Sequence, residues 1–272
     1  MTPRSPSLPV PKTLEESVQY YGRLFAECSK GTQDVMQMYM VKREEIRKKY
    51  PTWQAGAMDE KFDRVDARIG LFTKQINSLI TTSFHHVLYS KSLCDLTWLQ
   101  SNIHENYSSH LAVMEKQFDN CFKFAAQQCF NSIFHQMESS FRLFIKNVHP
   151  SGETLATNKF QNVYTALFAR LDIKDRAERI NLMQFMSVIR NSMHNNWCYI
   201  PTLKQGETAA PREFEYKQQK YTLIPNEFIR FITWTMIMDF AKDLLEVFDE
   251  MVNHPDIVSI PEIIEERFPS NE

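Results

Sequence analysis

Six glycines stand against 20 phenylalanines and 13 methionines in this chain of 272 residues, and that balance constrains the fold more than any single motif. Sheets joined by tight turns need residues that tolerate a left-handed backbone, and glycine is the main one. A chain so poor in glycine and so rich in large apolar side chains is expected to form long helices packed on one another. The expected class is all-α: an antiparallel helical bundle with additional N-terminal helices and a short β-hairpin or extended arm near 212–224.

Hydrophobic spacing and breakers set the expected elements. Thr13 and Glu16 have capping-box spacing, so a first helix should run from there to about Lys49, where Tyr50-Pro51 stops it. A second is expected from Asp59 to about Tyr89, and a third from Lys91 or Leu96 to about Asn106. Between His110 and Val148 the apolar residues Phe130, Phe134, Met137, Phe141 and Phe144 recur at steps of four and three, which is one face of a core helix. His149-Pro150-Ser151-Gly152 breaks it. Helices are then expected over 158–171 and 177–195, the latter with Leu182, Phe185, Met186, Ile189 and Met193 as its apolar stripe. From Pro201 to Ile224, prolines and the alternation Phe214, Tyr216 and Tyr221, Leu223 suit the hairpin or arm. The greasiest helix should follow Pro225, from Asn226 to about Asn253, apolar enough all round to be buried on more than one side. A short helix is expected at Pro261. The implied organisation is a flexible tail over 1–12, an N-terminal helical region over 13–108, the bundle over 109–255, and a short helix or tail over 256–272.

Charge and cysteine usage narrow the function classes. With 31 basic and 33 acidic residues the formal net charge is -2, so no global basic field draws in nucleic acid and any such contact must be local. Five cysteines, an odd number without Cys-x-x-Cys spacing, suggest neither a disulfide framework nor a zinc site. The first dozen residues lack an apolar signal core, and no apolar run reaches the ~18 residues of a membrane span. The expectation is a soluble cytoplasmic protein without membrane contact.

Several catalytic devices are absent from the pattern. No glycines cluster into a phosphate-cradling loop, no Glu is followed three residues later by His as di-metal bundles require, and no nucleophile elbow occurs. His104 and His110 are six apart and His85-His86 are adjacent, so each pair diverges on a helix. These histidines read as ordinary surface or core residues, and neither metal nor cofactor is called for.

The stretch Ile189 to Pro201, IRNSMHNNWCYIP, is the exception. Arg190 and His194 are four apart and share a helix face, one step round from Ile189 and Met193. Arg offers a fixed planar cation suited to phosphate; His can take or give a proton near neutral pH. Together they suffice for metal-free cleavage of RNA, with His acting on the 2'-hydroxyl or leaving oxygen and Arg stabilising the phosphorane. Asn191, Asn195 and Asn196 suit contacts to phosphate or sugar. The same residues equally suit a plain helix end, where His complements the dipole and Asn tolerates the left-handed turn. Trp197 and Tyr199 either stack on a base or anchor the loop.

IRNSMHNN, with the upstream MESSFRLFI at 137–145, resembles the two signature helices of the HEPN superfamily (higher eukaryotes and prokaryotes nucleotide-binding). The resemblance spans about 110–253. It implies that Arg190, Asn191 and His194 occupy the motif, with Glu138 and Arg142 on the partner helix at substrate-contacting positions. It further implies a metal-independent ribonuclease of a defence or toxin–antitoxin type, a homodimer with two motifs facing one cleft, RNA or a nucleotide as ligand, and an antitoxin or other partner protein. Some relatives are non-catalytic binding modules, and that alternative stands beside the first. The family's Arg and His usually stand further apart than the three intervening residues here; one residue fewer turns the His by about 100° relative to the Arg. Taken without the resemblance, Glu138 and Arg142 read as an ordinary i, i+4 salt bridge.

Overall fold

The computed structural model describes residues 13–54, 66–102, 107–201 and 208–264. It is mostly helical, with one small two-stranded antiparallel sheet. The helices are α1 (Leu14–Lys49), α2 (Ala67–Leu93), α3 (Leu96–Asn102), α4 (Tyr107–Val148), α5 (Gly152–Ala156), α6 (Phe160–Arg170), α7 (Arg176–His194), α8 (Trp234–Val252) and α9 (Pro255–Val258). A single 3₁₀ turn covers Pro51–Gln54.

Local chemistry accounts for most boundaries. Thr13 accepts a hydrogen bond from the Glu16 backbone N–H at 3.1 Å, so α1 begins as its capping spacing requires, and it ends before Pro51. Asp66 caps α2 by accepting from the Arg68 backbone N–H at 2.9 Å. The expected start at Asp59 and the expected end of the third helix at Asn106 lie outside the described residues, as do the tail over 1–12 and the end of the chain past 264. After α4 the breaker turns the chain into α5. A Cβ on Gly152 would collide with the carbonyl oxygens of Ile145 and Lys146, so only glycine fits there.

The extended segment near 212–224 is a hairpin. β1 (Arg212–Tyr216) pairs with β2 (Gln219–Leu223) around Lys217 and Gln218, both in the left-handed region. Phe214 and Leu223 face inward; the Phe214 ring stacks on Phe185 of α7 at 4.9 Å.

Two boundaries depart from expectation, the start of α8 and the short helix expected at Pro261. α8 starts at Trp234, not Asn226, with Thr233 accepting from the Met236 backbone N–H. Residues 226–229 are held instead by pairing with the chain after α7: Tyr199 N–H donates to Glu227 O at 3.0 Å, Asn226 N–H to Tyr199 O at 2.8 Å, and Ile229 N–H to Trp197 O at 2.8 Å. That pairing replaces the helical hydrogen bonds the apolar pattern had suggested. Near the end of the chain the short helix is α9, and 261–264 are not helical.

α8 is buried on more than one side, through Phe240, Leu244, Val247, Phe248 and Met251 among others. Around it lies one continuous core with contributions from α1, α2, α4, α6 and α7. Each fully buried Phe or Leu there contributes roughly 2 kcal/mol of transfer free energy. Tyr39 of α1 donates its hydroxyl to Ala241 O at 2.7 Å, tying the N-terminal helices to α8. No helix among the described residues is long and apolar enough to cross a membrane.

Candidate functional site

α7 ends by a mechanism that shapes everything after it. Asn195 is the C-cap, its N–H donating to the carbonyls of Asn191 and Ser192. Asn196 and Trp197 then both take positive φ, 55° and 66°. Asn adopts that region at little cost, whereas Trp does so at a strain of order 1 kcal/mol or more. Hydrogen bonds on both sides hold it there: Cys198 N–H to Asn195 O at 3.0 Å, and Ile229 N–H to Trp197 O at 2.8 Å. The chain therefore reverses sharply after His194 and runs out antiparallel to 226–229, with a bridge between Cys198 and Phe228.

On the last turns of α7, Ile189 and Met193 are in the core and the motif residues flank them. His194 is exposed, and so are Asn191, Asn195 and Asn196. Arg190 is half-buried, its guanidinium 5.8 Å from the centroid of the Phe134 ring on α4. It donates from Nη1 to Asn191 Oδ1 at 3.1 Å. No carboxylate among the described residues forms an ion pair with Arg190, so its charge stays available to an anion. An exposed imidazole thus sits one helical turn beyond a cation that has no carboxylate partner among the described residues.

Glu138 and Arg142 are occupied with each other and with the backbone. Arg142 donates to Glu138 Oε1 from Nε at 3.1 Å and from Nη2 at 2.5 Å. Its Nη1 donates to Ala156 O at 2.6 Å and Asn158 O at 2.9 Å. The pair clips α4 to the α5–α6 connection, and no hydrogen bond joins it to Arg190 or His194. Of the two aromatics beyond the motif, Tyr199 is buried and Trp197 half-buried, so Trp197 alone presents a face.

Beside the motif lies a cleft of about 350 Å³ that the sequence reading did not find. Phe122, Lys123 and Ala126 of α4 form one wall, Asn196 and Trp197 another, and Phe228, Ile229, Arg230, Ile232 and Trp234 the third. The nearest sequence signal was the run of aromatics after Pro225, which a helical reading places in the core. Among the described residues no group of three His, Cys, Asp or Glu could hold a metal ion. The cysteines are free; burial pushes the thiols of Cys28 and Cys129 up to about 12 and that of Cys94 to about 11, far from a reactive thiolate.

Compared with family models, with curated proteins and with solved structures, the chain matches none.

Proposed function

We propose that this chain is a HEPN-like RNA-binding protein that cleaves RNA without a metal, working from the C-terminal end of α7. The observation that carries this reading is the pairing of exposed His194 with carboxylate-free Arg190 one turn away. In that chemistry His194 takes the proton of a 2'-hydroxyl. The 2'-oxygen attacks phosphorus, the bond to the 5'-oxygen breaks, and the leaving oxygen receives a proton from the same residue of a second copy across a homodimer cleft. Arg190 stabilises the added charge of the phosphorane, and Asn191 orients its guanidinium. Asn195 and Asn196, exposed at the reversal, supply amide contacts to phosphate or sugar. Glu138 and Arg142 support α4 rather than touch substrate.

A second reading has its own observation. Arg190 lies half-buried over Phe134 and turned toward Asn191, an arrangement that suits static phosphate binding in a non-catalytic module.

One experiment separates the two. Purified protein and its His194→Ala variant are incubated with single-stranded RNA in EDTA, with binding followed in parallel. Cleavage by the parent that the variant loses supports the ribonuclease. Binding without cleavage by either favours the module, and cleavage that persists in the variant at equal rate overturns the role of His194.

A further inference from the structure

The cleft beside the motif has the chemistry of a nucleotide seat. Its described lining contains two cations, Lys123 and Arg230, and no carboxylate. Neither cation forms an ion pair with an acidic side chain among the described residues, although the surface elsewhere is laced with such pairs, Lys30–Asp34 and Arg179–Glu246 for example. Apart from Asn196, the rest of the lining is apolar or aromatic. Phe228 leaves 61% of its surface in water although its backbone is fixed by the bridge to Cys198 and by the bonds of its neighbours. An aromatic ring that is both exposed and held rigid loses little entropy when another ring stacks on it.

The start of α8 also favours a negatively charged ligand. Trp234 is the first residue of α8, so the positive end of a 19-residue helix lies in the cleft wall. At about 350 Å³ the cleft falls within the size range of small-molecule sites.

We infer that this cleft binds a nucleotide unit, the base packed against Phe228 and Trp197 and the phosphate drawn to Lys123 and Arg230. The assignment rests on the RNA reading of the α7 end and deepens it, because Asn196 and Trp197 of the cleft wall lie two and three residues after His194 in the chain. A strand whose base sits here presents its neighbouring phosphate toward the motif. The same chemistry would accept a free mononucleotide, so the test carries both.

Trp197 and Trp234 both lie in the wall, so intrinsic tryptophan fluorescence reports occupancy. The full-length protein is titrated with adenosine 5'-monophosphate and, separately, with a single-stranded RNA of about eight nucleotides in EDTA, a length within the site sizes of single-strand binders. Saturable quenching is expected with at least one probe. Phe228→Ala, a change at an exposed side chain, should weaken it about tenfold, and Arg230→Gln about fivefold with a shallower salt dependence. Quenching by RNA alone identifies a strand as the occupant; quenching by the mononucleotide that RNA does not displace identifies free nucleotide. No saturable quenching by either probe overturns the assignment, as does binding that Phe228→Ala and Arg230→Gln leave unchanged. RNA binding that falls with Arg190→Gln but not with the cleft variants removes the cleft while the α7 reading stands. Loss of binding in the cleft variants without any RNA cleavage by the parent does the reverse.

Discussion

His86 and Trp234 meet edge to face in the core, ring centroids 4.3 Å apart at 69°, and none of their three ring nitrogens has a hydrogen-bond partner among the described residues. An imidazole with two unmet polar atoms is expensive to bury. Burial pushes the pKa of His86 down to about 4 from its ordinary 6.5, with a smaller push from neighbouring His85. The unfolded chain therefore binds a proton between pH 6.5 and about 4 that the folded chain does not. Stability present above pH 6.5 is lost as the pH falls toward 4. The loss from this group between pH 7 and pH 5 is about 2 kcal/mol. Urea unfolding at the two pH values should show it in the parent, and His86→Leu should lose about that much less. Equal losses in both proteins would exclude His86 as the cause.

Arg68 gives a second measurable consequence. It is fully buried, grips Asp66 through Nε at 2.8 Å and Nη2 at 2.5 Å, and stacks 3.9 Å over the Trp53 ring. Its Nη1 also donates to Ile257 O and Ile260 O, both at 2.8 Å, while Asp66 accepts from the Ile263 N–H at 3.2 Å. This one buried pair fastens the start of α2 to the segment after α8. Asp66→Ala would leave a buried guanidinium without its counter-charge, a change that costs about 3–5 kcal/mol. A midpoint of urea unfolding shifted by less than a quarter of the parent value would contradict this account of the pair.

Patterns confined to a few turns were legible in the sequence. Thr13 capped the first helix where its spacing said it would, and the steps of four and three from Phe130 to Phe144 marked a face that is buried throughout. Arg190 and His194 were found by spacing on one helix. What spacing does not carry is pairing between distant segments. Residues 226–229 looked helical because Phe228 and Phe231 continue the apolar rhythm of α8, yet their backbone bonds go to 197–199, leaving Phe228 in water. The cleft is invisible for the same reason, since its walls come from α4, the turn after α7 and the approach to α8. Arg68 was equally hidden: nothing near it in sequence announces that its partners include carbonyls close to the end of the described chain.

Arg142 separates support from substrate contact. Its guanidinium spends its donors on Glu138 and on two carbonyls at the α5–α6 connection, so removing it frees Ala156 O and Asn158 O along with one carboxylate. Both side chains keep some exposure, 29% and 21%, and water compensates part of the loss. Arg142→Ala should therefore lower stability by about 1–2 kcal/mol. Because no hydrogen bond links this pair to the motif, binding of single-stranded RNA at a temperature well below unfolding should stay within about twofold of the parent, less than half a kcal/mol. Arg190→Gln should behave in the opposite way, with little change in stability and a marked loss of RNA affinity. The measurement pairs thermal melts with binding isotherms for the two variants. If Arg142→Ala weakens RNA as strongly as Arg190→Gln while the melts are unchanged, Arg142 touches substrate and the clip described for it is wrong.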